Sequence, residues 1–284
     1  MNLATPISLE RLCRLALVSR AGFYRWQNAT EPADRDLDLR DEIQRIALES
    51  PCYGWPRMTH ELNDRGWPVN HKRVYRIMRE DNLLCLRKRR FVVATTDSNH
   101  DRPVYPNLAK GMTPTGINQL WVADITYIRL EEEFIFLAVI LDAYSRRVIG
   151  WALDRSLEDE LTITALRMAL ERRIPAPGLV RHSDRGVQYA SRNYTELLKA
   201  RGVTISMSRK GNPFDNAACE SFMKTLKYKE VHRQEYRDIA EVRASIEHFL
   251  ERVYHQKRLH SALGYRPPIE FEQQLRLPGL ETQA

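Results

Sequence analysis

The sequence predicts an α/β protein in which a mixed sheet of five strands is flanked by helices and preceded by a small all-helical region. Two observations predict this arrangement. Helix-like apolar spacings run through the first part of the chain, and from Asn118 strand-like runs come first and then alternate with helical patterns. We divide the chain into four parts: a helical region over 1–86, a linker over 87–117, a sheet-containing core over 118–232 and a helical extension over 233–284.

Two short helices are predicted near the start of the chain. Ser8 and Ser19 are of a residue type that commonly caps helix N-termini, and apolar residues follow Ser8 at helical spacing. The second helix is expected to continue through Trp26. Two short helices around a tight break are typical of a helix-turn-helix.

A second helix pair is predicted between residues 54 and 81. Pro56 lies near the start of its first helix, Gly66 is a C-cap candidate, and Asn70 caps the second helix. In the second helix Val74, Ile77 and Met78 face inward, and the other faces are mostly basic: His71, Lys72, Arg73, Arg76 and Arg79. A helix inserted into the major groove of DNA needs this combination, although a merely solvated basic helix would also carry it. The DNA-contact candidates are Asn70, Lys72, Arg73 and Arg76.

The charge balance indicates a polyanionic partner. The formal net charge is +7 and the isoelectric point is near 9.3. The excess is uneven, because residues 57–90 hold ten Lys and Arg against four acids, a net of +6. Nucleic acid is the favoured partner, ahead of a membrane surface. The stretch 87–117 combines a basic run with several Pro and Gly and little periodicity, which is typical of a linker.

The cysteines and the apolar runs bear on compartment and on metal chemistry. The four cysteines form no Cys-x-x-Cys pair, and the eight histidines show no paired ligand spacing with them, so a zinc site is not expected. We find no signal peptide and no apolar run near 18 residues. We therefore expect a reduced, soluble, cytoplasmic protein.

The sheet is predicted from five runs. Three strand-like runs follow the linker: QLWVADITYIRL, EFIFLAVILDAYS and RRVIGWALD. A helix comes next, then the short strand GLVRHSD, a helix from about Ser191 to Ala200 and the strand VTISMS. A helix containing Glu220 follows, and a long amphipathic helix is expected from about Asp238 to Tyr254. Hairpins followed by alternating helices and strands predict a mixed sheet.

Three aspartates are placed unusually in these strands. Asp124 interrupts the first strand, where an acid is disfavoured, and Asp184 ends the apolar run LVRHSD. Ligands commonly bind at such strand ends in open α/β sheets. Asp142, which closes the second strand, is a third candidate. Each of them has a structural alternative, since an Asp at a strand end often caps a turn.

The helix containing Glu220 has two distinct faces. A loop of Gly, Asn and Pro precedes it, and Ala218, Phe222 and Leu226 form its apolar stripe. The opposite face carries one acid and two bases, at i, i+4 and i+7: Glu220, Lys224 and Lys227. A solvated, salt-bridged face would show the same spacing, so this pattern alone does not decide between a functional and a structural role.

Asp124, Asp184 and Glu220, with 35 residues between the last two, resemble the Asp-Asp-Glu triad of the retroviral-integrase superfamily. More closely, the chain resembles the catalytic product of the second reading frame of bacterial insertion sequences. The motifs that carry this resemblance are WVADITYI, DAYSRRVIGW, HSDRGVQYAS, NPFDNAACESF and YHQKRLHSALGYRPP, and residues 53–80 resemble that family's helix-turn-helix region. Two positions depart from it: Ala123, where Thr is common, and His255, where Asn is usual.

The resemblance implies a ribonuclease-H-like core that brings three carboxylates into one cluster. Asp124 would come from a central strand, Asp184 from a neighbouring strand end and Glu220 from a helix. As catalytic residues they would hold Mg²⁺ or Mn²⁺, with two ions expected, because clustered carboxylates repel one another unless cations neutralise them. Lys224 and Lys227 would contact DNA phosphates.

The implied activity is DNA transposition. Metal-dependent cleavage at the ends of an insertion sequence would precede strand transfer into target DNA. The expected partners are double-stranded DNA and further copies of the same chain, with no membrane, in the bacterial cytoplasm and at the nucleoid when DNA is bound. Two alternatives stay open: a non-catalytic DNA-binding protein derived from a transposase, and a plain nuclease without the joining step.

Overall fold

The computed structural model describes residues 8–28, 36–84, 101–175, 177–209 and 213–276. The chain divides into two compact units, residues 1–85 and 86–284. The first part of the predicted linker, residues 87–100, and the Gly211 and Asn212 positions of the predicted loop lie outside the described residues. No helix in the described ranges is long and apolar enough to cross a membrane.

The first two helices begin where their serines predict. Helix α1 (Leu9–Leu15) is capped by Ser8, whose side chain accepts the N–H of Arg11, and α2 (Arg20–Gln27) is capped by Ser19 in the same way. These side chains satisfy backbone N–H groups that have no partner within the helix. Both predicted N-caps are confirmed.

Three further helices form a second group in the first unit: α3 (Leu37–Glu49), α4 (Trp55–Asp64) and α5 (His71–Glu80). Their buried residues are Leu39, Ile43, Ile46, Met58, Leu62, Val74, Ile77 and Met78. Gly66 follows α4 with φ +85°, a left-handed conformation that glycine adopts without strain. Helix α3 was not among the predicted elements, although its apolar residues recur at helical spacing.

The second unit contains a five-stranded mixed sheet, as predicted. Its strands are β1 (Leu120–Arg129), β2 (Phe134–Asp142), β3 (Val148–Asp154), β4 (Val180–Ser183) and β5 (Thr204–Met207). They lie in the order β3-β2-β1-β4-β5. β1, β2 and β3 are antiparallel neighbours, whereas β4 runs parallel to both β1 and β5. β1 is therefore the central strand.

Helices cover both faces of this sheet. Along β1, Trp121 and Ala123 belong to one apolar cluster, and Leu120 and Val122 belong to the other. Residues of α6 (Asp159–Arg172) and α7 (Arg192–Ala200) complete the first cluster. Residues of α8 (Ala217–Lys229) and α9 (Ile239–His248) complete the second. The alternation of side chains along β1 thus sends neighbouring residues into opposite cores.

The C-terminal segment continues the second core. The predicted helix from Asp238 to Tyr254 consists of α9, capped by Asp238, and a π-helical stretch over Phe249–Tyr254. His255 follows; it is buried, and its Nε2 accepts the N–H of Val148 in β3 at 3.1 Å. His255, which stands where the resembling family usually has Asn, therefore makes a structural contact with β3. A last helix, α10, spans Pro268–Arg276.

Candidate active site

The parallel pairing of β1 with β4 brings two of the candidate aspartates together. The last pair in this ladder is Val122 with His182. Asp124 stands two residues beyond Val122, within β1, and Asp184 stands two residues beyond His182, directly after β4 ends. Asp124 therefore lies on the face of the sheet that α8 covers. Asp184, just after the end of β4, lies at the corresponding position along the neighbouring strand.

Glu220 approaches from α8, where it lies in the first turn. The buried side of α8 packs into the cluster that contains Val122, through Cys219, Phe222, Met223 and Leu226. Glu220 is next to this buried side and is itself partly buried, as are Asp124 and Asp184. Three separate elements thus supply the three predicted acids.

The electrostatics of Asp124 indicate how close these acids lie. Burial, followed by the negative charge of Asp184 and then that of Glu220, raises the pKa of Asp124 to about 7. The backbone N–H of Ile125 and the ammonium group of Lys227 act in the opposite direction. A carboxyl group whose pKa rises through burial and like charges is typical of functional sites. The structure therefore brings Asp124, Asp184 and Glu220 within electrostatic reach of one another.

Two of the carboxylates also contact the backbone. Oδ1 of Asp124 accepts the N–H of Ile125 at 2.9 Å, and Oδ1 of Asp184 accepts the N–H of Gly186 at 3.0 Å. Among the described residues, no three His, Cys, Asp or Glu side chains converge closely enough to form a ready-made metal site. The donor chemistry nevertheless fits Mg²⁺ or Mn²⁺, because hard carboxylate oxygens are the ligands that these ions prefer. A cation there would also offset the repulsion between the carboxylates, which adds to the effect of burial on the pKa of Asp124.

The two lysines that follow Glu220 have different surroundings. Lys224 is exposed and makes no ion pair with Glu220, so the predicted alternative of a salt-bridged helix face does not describe this pair. Nζ of Lys227 lies 4.2 Å from the centre of the Tyr127 ring. Burial lowers the pKa of Lys227, and the charge of Asp124 opposes this. Lys227 therefore adjoins the carboxylates, whereas Lys224 faces solvent.

Asp142 has a structural environment. It is fully buried, and its carboxylate accepts the N–H groups of Asn118 at 2.7 Å, Tyr144 at 2.9 Å and Ser145 at 3.1 Å. These bonds close the turn after β2 and fix the start of β1. The turn-capping alternative is therefore the one that fits Asp142.

The basic helix α5 is held by an acid that the sequence patterns did not indicate. Nε of Arg73 donates to Oδ1 of Asp36 at 2.8 Å, and Nη2 of Arg76 donates to Oδ2 at 2.6 Å. Asn70 caps α5 as predicted, because its Oδ1 accepts the N–H of Lys72 at 2.8 Å. The side chain of Lys72 is exposed, and those of Arg73 and Arg76 are 45% and 52% exposed. No local pattern in the sequence connects Asp36 with arginines about 40 residues away.

Family models match both units of the chain. The integrase core domain family matches residues 114–213, a second integrase core domain family matches residues 201–268, and an HTH-like domain matches residues 33–91. The first integrase match includes Asp124 and Asp184, and the second includes Glu220.

Relatives that match over nearly the whole chain are also proteins of insertion sequences. The chain is 39% identical over 267 residues to the insertion element IS600 uncharacterized 31 kDa protein of Shigella sonnei, covering 92% of this chain and 97% of that protein. It is 36% identical over 272 residues to the transposase InsF for insertion sequence IS3A of Escherichia coli strain K12, covering 93% and 94%.

A solved structure shares the fold. A chain of the simian T-cell lymphotropic virus intasome, solved by cryo-electron microscopy in complex with PP2A regulatory subunit B56 gamma, superposes with a TM-score of 0.50. The match covers 85% of this chain and 78% of that chain at 15% identity, which bears on the fold alone. The ribonuclease-H-like core predicted from the sequence is thereby confirmed. With the relatives above, it follows that the chain belongs to the family of insertion-sequence transposases that have an integrase catalytic core, to which the IS3 transposase InsF also belongs.

Proposed function

We propose that the chain cleaves the ends of its insertion sequence and joins the freed 3′-hydroxyl groups to target DNA, with Asp124, Asp184 and Glu220 as the catalytic carboxylates. The observation that carries this proposal is the approach of three acids from three separate elements. Their mutual repulsion contributes to the raised pKa of Asp124. A surface ion-pair network would instead lower the pKa of an aspartate.

The three carboxylates would hold two Mg²⁺ or Mn²⁺ ions. Two such ions supply Lewis-acid activation of a phosphate and lower the pKa of a water or hydroxyl nucleophile. The residues of the chain bind and orient the DNA around them. Lys224, exposed one turn beyond Glu220, is available to a phosphate of the DNA end. Lys227 adds positive charge beside Asp124 and would limit the negative charge of the cluster.

Recognition of the element ends would belong to the first unit. Helix α5 presents basic side chains opposite its buried stripe, and the exposed Lys72 is suited to a phosphate contact. Arg73 and Arg76 remain about half exposed while bound to Asp36, so that each could also contact DNA. Joining requires two ends to be held together, and for this reason we propose that several copies of the chain assemble on DNA.

An in vitro joining assay tests this function. The full chain, a labelled duplex carrying a candidate terminal repeat, a target plasmid and Mg²⁺ should give a product in which the labelled strand is covalently attached to the target. Cleavage without attachment would indicate a plain nuclease. Binding of the duplex without cleavage would indicate a non-catalytic DNA-binding protein.

A further inference from the structure

A buried asparagine joins the start of α8 to the strand that contains Asp124. Nδ2 of Asn216 donates a 2.9 Å hydrogen bond to the carbonyl oxygen of Ala123. Asn216 is 6% exposed and precedes Glu220 by four residues, about one helical turn. Ala123 directly precedes Asp124. One side-chain hydrogen bond therefore connects the start of the helix that carries Glu220 to the strand that carries Asp124.

The side chain of Asn216 does not cap its own helix, and the same is true of Asp36 at the start of α3 and Glu158 at the start of α6. Asn216 occupies the N-cap position of α8, and asparagine is among the best N-capping residues, yet its side chain makes no capping hydrogen bond. Side chains do cap α1, α2, α5, α7 and α9: Ser8, Ser19, Asn70, Ser191 and Asp238. Asn216 is thus directed toward β1 instead of toward its own helix.

The amide oxygen of Asn216 is the second polar atom of this side chain. Oδ1 of Asn216 is buried and has no hydrogen-bond partner among the residues that the structure describes. Buried polar atoms without a partner are uncommon in native proteins. The link to Ala123 is the contact that this asparagine does make.

We propose that Asn216 is a positioning residue that fixes the separation of Asp124 and Glu220 and thereby sets the affinity of the carboxylate cluster for divalent cations. This inference rests on the proposed function of those carboxylates. Mg²⁺ demands nearly ideal octahedral geometry, so a small displacement of one ligand weakens its binding. Contacts that orient metal ligands typically change metal affinity or activity 10- to 100-fold when they are removed.

The preceding residue offers a matched control. Asp215 contacts Nδ2 of Asn107 at 2.8 Å and the backbone N–H of Arg209 at 3.1 Å, on the side of β5. It anchors the same turn without the bond to Ala123. Asp215→Asn weakens this anchor through loss of charge and leaves the link between Asn216 and β1 in place.

The experiment compares the full-length parent with Asn216→Ala, Asn216→Leu and Asp215→Asn. Leu has the same number and branching of side-chain heavy atoms as Asn and lacks its polar groups, so that it provides a second comparison if the Ala variant folds poorly. Calorimetric titration with Mn²⁺ in the absence of DNA is the first measurement, and the Mn²⁺ concentration for half-maximal joining is the second. Both Asn216 variants should bind Mn²⁺ about 10-fold or more weakly and need correspondingly more Mn²⁺ for joining. For Asp215→Asn, the affinity for Mn²⁺ and the Mn²⁺ concentration for half-maximal joining should both stay within about twofold of the parent.

Three outcomes would overturn the inference. The first is parent-like Mn²⁺ affinity in both folded Asn216 variants. The second is an equal loss in Asp215→Asn, which would assign the effect to the whole turn. The third is loss of the folded state in both Asn216 variants, which would make Asn216 a stability residue. Failure of the proposed function is distinct: the parent would then not join DNA, while the calorimetric comparison would still decide the role of Asn216.

Discussion

The guanidinium group of Arg76 donates a 2.6 Å hydrogen bond to the carboxylate of Asp36. Arg73 binds the same carboxylate, and the hydrogen bonds of Arg73 and then Arg76 hold the pKa of Asp36 below its ordinary value. Asp36 directly precedes α3, so that these contacts fasten the start of α3 to the predicted DNA-contact helix. Arg73 and Arg76, both DNA-contact candidates, therefore also stabilise their own unit.

The first prediction separates these two roles. Lys72→Ala should weaken binding to terminal-repeat DNA and reduce its salt dependence by about one unit of slope, because one phosphate contact is lost. The thermal unfolding midpoint should not change, since Lys72 is exposed. Arg76→Ala should lower both the DNA affinity and the unfolding midpoint. Salt titrations of binding and thermal melts measure both quantities. If Lys72→Ala and Arg76→Ala bind DNA like the parent at every salt concentration, α5 is not the DNA-contact helix.

The second prediction concerns Glu220. Glu220→Gln keeps the size of the side chain and removes the charge that would hold a cation. Cleavage and joining should fall by several orders of magnitude, because charge stabilisation in the transition state is lost. Folding should survive, since one like-charge repulsion with Asp124 is relieved. Binding to DNA ends should persist, because it depends on the basic helices.

Glu160→Gln is the matched control for this change. Glu160 is an exposed helical glutamate paired with Arg167 at 3.1 Å on α6. Its loss should cost a few tenths of a kcal/mol and leave joining intact. A melt, an end-binding titration and a joining assay on each preparation give the comparison. Normal joining by Glu220→Gln would refute the role of this carboxylate and favour a solvated helix face.

The third prediction concerns the choice of metal. Mg²⁺ or Mn²⁺ should support joining, whereas Ca²⁺, with its larger radius and looser geometry, should permit DNA binding with little chemistry. Joining assays in each metal, with a gel-shift assay in parallel, measure the two steps. Full joining activity in the presence of EDTA would contradict a metal-dependent mechanism.

The fourth prediction follows from the raised pKa of Asp124, about 7. Because the folded chain binds this proton more tightly than the unfolded chain, the associated stability is fully present below about pH 4 and is lost as the pH rises toward 7. Asn cannot ionise, so Asp124→Asn should not lose this stability as the pH rises. In metal-free buffer the variant should melt like the parent near pH 4 and increasingly above the parent toward pH 7.

Added Mg²⁺ distinguishes this effect from ordinary packing changes. It should raise the unfolding midpoint of the parent at pH 7, because a ligand that binds only the folded state stabilises it. Asp124→Asn should respond less. A constant difference in midpoint across the pH range would mean that the charge of Asp124 is not the cause.

Local patterns predicted those parts of the molecule that local physics determines. The strands and the serine caps were predictable because each depends on residues close in sequence. The same holds for the shared helix face of Glu220 and the two lysines that follow it. Other features depend on distant partners. Asp36 binds arginines 37 and 40 residues away, and Asn216 binds a carbonyl 93 residues away. Such contacts exist only after the chain has folded. The approach of the three acids was expected from family resemblance, because their spacing alone fixes no register between β1 and β4.

The fifth prediction concerns the buried acid that attaches α10 to the sheet unit. Glu272 is 2% exposed and accepts hydrogen bonds from Arg147 at 2.8 Å and Arg173 at 2.6 Å. Glu272→Ala should lower the free energy of unfolding by about 3–5 kcal/mol, since it leaves the buried guanidinium group of Arg173 without its partner. Chemical denaturation measures this loss.

Its pH dependence and its control make this prediction specific. Burial alone would raise the pKa of Glu272, but Ser145, Arg147 and Arg173 together hold it below its ordinary value. The stabilisation is therefore present above the unfolded pKa of about 4.3 and is lost as the pH falls through the lower folded pKa. The difference between parent and Glu272→Ala should accordingly be large at pH 7 and shrink in acid. Glu270→Ala, an exposed position on the same helix, should change the unfolding free energy by less than about 0.5 kcal/mol. If the two variants unfold alike at pH 7, the contacts of Glu272 do not stabilise the attachment of α10.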